Sequence, residues 1–180
     1  MFGGGNGDQL YAGGDKPREL HAASGNETLS GAFGSGADTF YGGSGSDQIF
    51  GGSGKNTFVA GTGTATVTAS PGTRNLFEFM KTVGGETELV TGLTGASQVH
   101  IELLGYGPDE VKNALASQTV TNQSVTITLS DHTAVTFLDV GALSSGNFLG
   151  GQSSGDGSSG DGSSGDGSDD SKGNHGHSGA

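Results

Sequence analysis

Two directly adjacent segments, GGSGSDQIF (42–50) and GGSGKNTFV (51–59), share one nine-residue template, G-G-x-G-x-D-x-U-x, in which U is large and apolar. Carrying that register along the chain places U at Leu10, Leu20, Leu29, Phe40, Ile49, Phe58, Val67 and Leu76, in steps of 10, 9, 11, 9, 9, 9 and 9 residues. Two residues ahead of each U lies a polar slot, filled in turn by Asp8, Arg18, Glu27, Asp38, Asp47, Asn56, Ala65 and Arg74. A flexible glycine linker would scatter its apolar residues. Asp beside Gly is a common turn pair, but turn chemistry does not explain periodic Leu, Ile and Phe. A repeat of this length means stacked coils.

The unit has a physical logic. Residues 48–50 suffice only for a very short strand, which points Ile49 inward. The six residues before U must reverse the chain, and adjacent glycines tolerate the positive φ that this requires. Two units make an 18-residue coil, and coils stack with their strands parallel. Backbone oxygens and Asp carboxylates then crowd between neighbouring turns. A hard cation with six to eight oxygen ligands relieves that crowding, and calcium accepts irregular geometry better than magnesium. The fold class expected is mainly β: a parallel β-roll (β-helix) of nonapeptide repeats.

These repeats resemble the RTX, or hemolysin-type, calcium-binding family, most closely over 31–59 and more loosely over 1–30 and 60–77. The resemblance implies Ca2+ held between repeats two apart on one side of the roll. Carried over residue by residue, Asp38 and Asn56, 18 apart, form the best pair, and Asp47 pairs with Glu27, 20 apart, across a two-residue insertion near Gly31 and Ala32. Asp8 faces the turn of Glu27 with a one-residue slip. Gly42, Gly43, Gly45, Gly51, Gly52 and Gly54 shape the two turns that fit the template best. Arg18, Ala65 and Arg74 put no carboxylate in the slot, so no ion is expected there. The resemblance further implies an extracellular or cell-surface protein exported without an N-terminal signal peptide. Its partners would be calcium ions and a type I secretion exporter, and the chain would be the C-terminal secretion and folding module of something larger.

Charge and composition narrow the alternatives. With 19 acids against 7 bases and a net charge of −12, the chain lacks the basic face that nucleic acid requires. It has no Cys, hence no disulfide and no Cys-rich zinc site. No run approaches the ~18 apolar residues of a transmembrane segment. The start, MFGGGNGDQLY, lacks the basic patch and apolar run of a signal peptide and begins inside a repeat.

The roll is expected over 1–77. Beyond it, glycine thins, and 78–149 reads as a β-rich cap with short strands, one helix opened by Pro108, and a hairpin over 124–138. A solenoid end exposes apolar side chains and strand edges and needs such a cover. Glu86 and Glu88 read as one solvated strand face, and His100 and His132 as ordinary strand and turn residues. No catalytic grouping stands out, so the chain is read as no enzyme. Residues 150–180, rich in Gly, Ser and Asp with almost nothing apolar to bury, read as a disordered tail. A second function class rests on Thr62, Thr64, Thr66 and Thr68, which alternate along one strand. Stacked threonine rows would suit a structural protein that binds a surface, as an adhesin or a binder of ice or carbohydrate does. A single row would argue against it.

Overall fold

The computed structural model describes residues 1–150, so the expectations for the tail lie outside the described residues. The chain winds as a solenoid in which each coil gives one strand to each of two sheets. The first coil holds β1 (Gln9–Gly14) and β2 (Glu19–His21). The second has the two-residue β3 (Ser24–Gly25), then β4 (Thr28–Gly34) and β5 (Thr39–Tyr41). The third holds β6 (Ser44–Phe50) and β7 (Thr57–Val59), and the fourth β8 (Thr64–Thr68) and β9 (Asn75–Met80). The fifth comprises β10 (Thr87–Thr91) and β11 (Val99–Leu104). Helix α1 (Glu110–Ser117), β12 (Thr119–Thr121) and β13 (Ser124–Thr128) follow, and the chain ends its described course with β14 (Ala134–Phe137) and β15 (Phe148–Leu149). Every pairing is parallel along β1-β4-β6-β8-β10-β14 in one sheet, which then continues to β13 and β12, and along β2-β5-β7-β9-β11-β15 in the other.

Strand alternation sends the U side chains inward. Leu10, Leu29, Ile49, Val67, Val90 and Phe137 stack in register along the first sheet, and Leu20, Phe40, Phe58, Phe77, Ile101 and Phe148 along the second, all buried. Each such side chain contributes about 1.5–3 kcal/mol on burial. The Phe40, Phe58 and Phe77 rings stack at 5.4 and 5.3 Å, and Phe137 meets Phe77 edge-on at 5.4 Å across the core. Such pairs add about 0.5–1.5 kcal/mol each beyond area.

The expected register needs one correction. Thr57 pairs with Leu76 and Phe58 with Phe77, so U in this coil is Phe77 and the slot ahead of it holds Asn75, where the strict nine-residue count had pointed to Leu76 and Arg74. The turn after Ala69, in which Gly72 takes φ +80°, accommodates one extra residue. Upstream, Ser30 pairs with Phe50 at a spacing of 20 and Thr39 with Thr57 at 18, so two extra residues lie between 30 and 39, where the sequence indicated an insertion.

The parallel ladders continue past residue 77 with longer coils, Thr64 pairing with Thr87 and Asn75 with Val99. Only β12, β13 and β14 pair antiparallel among the described strands. Helix α1 lies beside β13, with Ala114 buried and Val111 and Leu115 half-buried against the core. The β13–β14 turn uses His132 at φ 71°, a left-handed residue in a place that glycine more often fills. Under it, buried Asp131 accepts hydrogen bonds from the Tyr106 hydroxyl (2.6 Å) and the Thr82 and Thr133 amides (3.0 and 3.1 Å). Burial pushes the Asp131 carboxyl up, but these donors outweigh it and hold it below the usual carboxylate range.

A second correction concerns Glu86 and Glu88, which are buried rather than solvated. Thr87 is the residue facing solvent, and alternation turns its neighbours in. Glu86 accepts from the Thr82 and Thr133 hydroxyls, both at 2.6 Å.

Candidate metal centre

Polar slots stack as regularly as U positions do. On the first sheet, one residue ahead of the paired Thr28 and Gln48, Glu27 stands over Asp47, with Asp8 on one side and Ala65 and then Glu88 on the other. The Glu27 amide donates to Asp47 Oδ1 (3.0 Å), and Asp47 Oδ2 takes the Gly43 amide (3.0 Å). Asp8 Oδ2 takes the amides of Gly4 (2.6 Å) and Gly5 (3.1 Å).

Glu27 differs from both. Its side chain is 1% exposed, and neither carboxylate oxygen has a donor. Burial pushes its pKa up, as do the adjoining Asp47 carboxyl and the negative charges of Asp47 and Asp8. A proton on either Glu27 or Asp47 would remove one of the two adjacent charges. When both are ionised, the oxygens are left without compensation, and a buried charge in that state must find either a proton or a cation.

On the second sheet the slots form a backbone-to-side-chain ladder. The Arg18 amide donates to Asp38 Oδ1 (2.9 Å), the Asp38 amide to Asn56 Oδ1 (3.0 Å), and the Asn56 amide to Asn75 Oδ1 (3.1 Å). Burial raises the Asp38 pKa, against the Arg18 amide and charge that lower it. The Arg18 side chain itself lies outward, with Nε on the Gly13 carbonyl (3.2 Å). Asn56 Nδ2 donates to the carbonyls of Gly52 (2.9 Å) and Gly54 (3.1 Å).

The six template glycines stand where there is no room for a Cβ, five of them because neighbouring coils touch. A Cβ at Gly43, Gly45, Gly52 or Gly54 would collide with a backbone carbonyl of the preceding coil, that of Ala23, Gly25, Gly31 or Gly36. At Gly42 it would press on the Gly61 amide at 3.0 Å, and at Gly51 on the Phe58 ring at 2.9 Å. Gly45 also has φ +128°, which side chains rarely adopt.

The structure thus brings Asp8, Glu27 and Asp47 together in one column and Asp38, Asn56 and the unforeseen Asn75 in another. Glu88, also unforeseen, extends the first column past Ala65. A further pair escaped notice in the sequence: Asn6 Oδ1 takes the Asn26 amide (2.9 Å) and Asn26 Oδ1 the Ser46 amide (3.0 Å). Their signal was an Asn just ahead of the slot in successive coils, Asn6 two residues before Asp8 and Asn26 one before Glu27. Among the described residues, no three His, Cys, Asp or Glu side chains converge as a metal-binding group. A cation here would draw on backbone carbonyls as well as carboxylates, and a hard, oxygen-seeking ion suits that donor set.

The family model of the RTX calcium-binding nonapeptide repeat matches residues 21–57 and 34–67, four copies in all. No curated protein matches the chain, and no solved structure does. Nine-residue register, parallel coils and the matching family model agree, and they identify residues 21–67 as RTX calcium-binding repeats.

Proposed function

We propose that this roll binds calcium between its N-terminal coils and folds on doing so outside the cell, as the C-terminal secretion and folding module of a larger exported protein. The observation that carries the reading is Glu27, a buried carboxylate with two donorless oxygens beside Asp47 and Asp8. Calcium supplies the positive charge that the site lacks. On the first sheet the column would hold ions between neighbouring coils, Glu27 with Asp47 and Glu27 with Asp8, and on the second sheet Asp38 would serve, with turn carbonyls completing each shell. Gly42, Gly43 and Gly45 let the coils approach closely enough for two turns to share an ion, and Gly51, Gly52 and Gly54 let the next turn stack as closely. Repeats tuned to an extracellular setting bind at roughly 10⁻⁴–10⁻³ M, so the coils stay loose inside a cell and close outside it. Folding and binding are then one equilibrium. The test is circular dichroism of the full chain during a calcium titration. A cooperative gain of β signal is expected, and a spectrum indifferent to excess chelator would falsify the reading.

A surface-binding role gains support from one specific observation. The threonines of β8 do not stand alone: Thr64 pairs with Thr87 and Thr68 with Thr91 on β10, and Thr136 pairs with Thr126 across the hairpin. The outward positions of β8, β10, β13 and β14 carry no charged side chain. In a chain of net charge −12, such a face suits a neutral, hydroxyl-rich surface such as a polysaccharide. Loss of polysaccharide retention on Thr66→Lys, with folding intact, is the expected result; unchanged retention, or none in the parent chain, would exclude this role.

A further inference from the structure

We propose that Asn56 closes its own turn with an amide in place of a cation, so that residues 51–56 form a metal-free clamp within a calcium-bound roll. The inference rests on the calcium reading above and changes what one of its residues does. The turns 42–47 and 51–56 share one template and differ chemically at the last slot, Asp47 in one and Asn56 in the other. An ionised Asp only accepts hydrogen bonds, so turn carbonyls facing it require an outside donor or a cation. An Asn carries its own two N–H groups.

Hydrogen bonding fixes which way this amide points. Oδ1 accepts the Asp38 amide at 3.0 Å. The NH2 group is thereby committed to the other side, where it reaches Gly52 O at 2.9 Å and Gly54 O at 3.1 Å. Asn56 is 1% exposed, and its side chain uses both donors and its acceptor oxygen. Gly52 O receives a second donor, the Ser70 hydroxyl at 2.7 Å. A cation entering the turn would meet N–H groups where it needs oxygen, and the carbonyls it wants are taken. Flipping the amide would turn the NH2 toward the Asp38 N–H and leave a buried donor unsatisfied, which proteins avoid.

Asn56 is therefore a positioning residue for Asp38, which it holds by the backbone, and no calcium ligand. Asn75 continues the same pattern, its Nδ2 on the Thr73 hydroxyl at 3.1 Å and its Oδ1 on the Asn56 amide. The boundary between ion-held and amide-held coils falls at Asn56.

The experiment counts bound calcium by native mass spectrometry and calorimetry on the full chain, its Asn56→Asp variant and its Asn56→Ala variant, with circular dichroism alongside. Asn56→Asp should bind one more calcium per chain than the parent, and should need calcium more strongly to fold. Asn56→Ala should bind the same number as the parent. Loss of one calcium in Asn56→Ala, or no gain in Asn56→Asp, would overturn the proposal. Failure of Asn56→Asp to fold in excess calcium would also overturn it, since the ion should replace the amide. A parent chain that binds no calcium would instead sink the calcium reading itself. A second measurement does not depend on any variant. In the calcium-loaded parent, the Asn56 side-chain N–H signals should show slow exchange and couplings to the Gly52 and Gly54 carbonyls. Fast exchange there would refute the clamp.

Discussion

Replacing Glu88 with Gln should stabilise the folded roll at neutral pH and flatten its pH dependence. Glu88 is 3% exposed and points into the core beside Ala65 and Val90, with Oε1 lacking any donor. Burial, then the charges of Glu86 and Asp47, push its pKa from 4.5 up to about 8, against a smaller downward pull from the Ala65 amide. A carboxyl raised in the folded state binds more protons there than in the unfolded chain. Its contribution is therefore intact below pH 4.5 and is lost as pH climbs toward 8. Each pH unit in that window is worth about 1.4 kcal/mol, so by about pH 7 the loss reaches roughly 3 kcal/mol. Gln cannot ionise and escapes that loss. Calcium bound at Asp47 would offset part of the neighbouring negative charge, which makes roughly 3 kcal/mol a ceiling. The assay is urea unfolding of parent and variant in saturating calcium between about pH 5.5 and about pH 8. The difference between the two proteins isolates Glu88 from the other raised carboxyls, Glu27, Asp38 and Glu78. The stability gap should widen with pH across this range. Parallel profiles, or a variant weaker than its parent at neutral pH, would refute the argument.

Asp38→Ala should raise the calcium midpoint of folding, because a site held at a hundredfold excess over its dissociation constant contributes about 2.7 kcal/mol; an unchanged titration would remove Asp38 from the ligand set. Asp131→Ala should weaken folding by about 1–3 kcal/mol at every calcium concentration, since the Tyr106, Thr82 and Thr133 donors lose their acceptor. Its folded pKa is lowered, so the parent's advantage over the variant should be full at neutral pH and fade as pH falls through that pKa, which acid unfolding of the pair measures. Gly45→Ala should abolish closure of the third coil on the second, read as lost calcium-induced β signal, while Gly84→Ala, where a Cβ meets nothing within 4 Å, should behave as the parent does.

What the sequence showed and what it hid divide along a physical line. The register was legible wherever a coil obeyed nine-residue steps, because a large apolar residue must recur at each inward position and glycine wherever backbones touch. Ile49, Phe58, Gly45 and Gly54 each state such a requirement in a single letter. It failed at Leu76 because one extra turn residue shifts every later side chain to the opposite face, and nothing local to 70–74 announces the insertion. Glu88 was hidden for a related reason. Strand alternation has no sign until the neighbouring strand sets it, and Glu in a Thr-rich strand ordinarily faces water. Only the pairing of Glu88 with Ala65 reveals that it occupies a slot.

The change from Asp47 to Asn56 to Asn75 is the subtlest case, since Asp and Asn have the same shape and both suit the template. Shape decides whether the coil can form; the hydrogen on Nδ2 decides whether it needs a metal to do so. From the first coil to β6 of the third the slots are Asp8, Arg18, Glu27, Asp38 and Asp47; Asn56, Ala65 and Asn75 follow, before the buried Glu88 of the fifth coil. Carboxylates that repel one another without an ion thus stand at one end of the roll, and groups that satisfy their turns unaided, or make no demand, adjoin them. Large side chains such as Phe77, Phe79, Ile101 and Phe137 fill the core on that far side. On the calcium reading proposed above, dependence on the ion varies with position along the solenoid, according to which slots lack an N–H donor of their own.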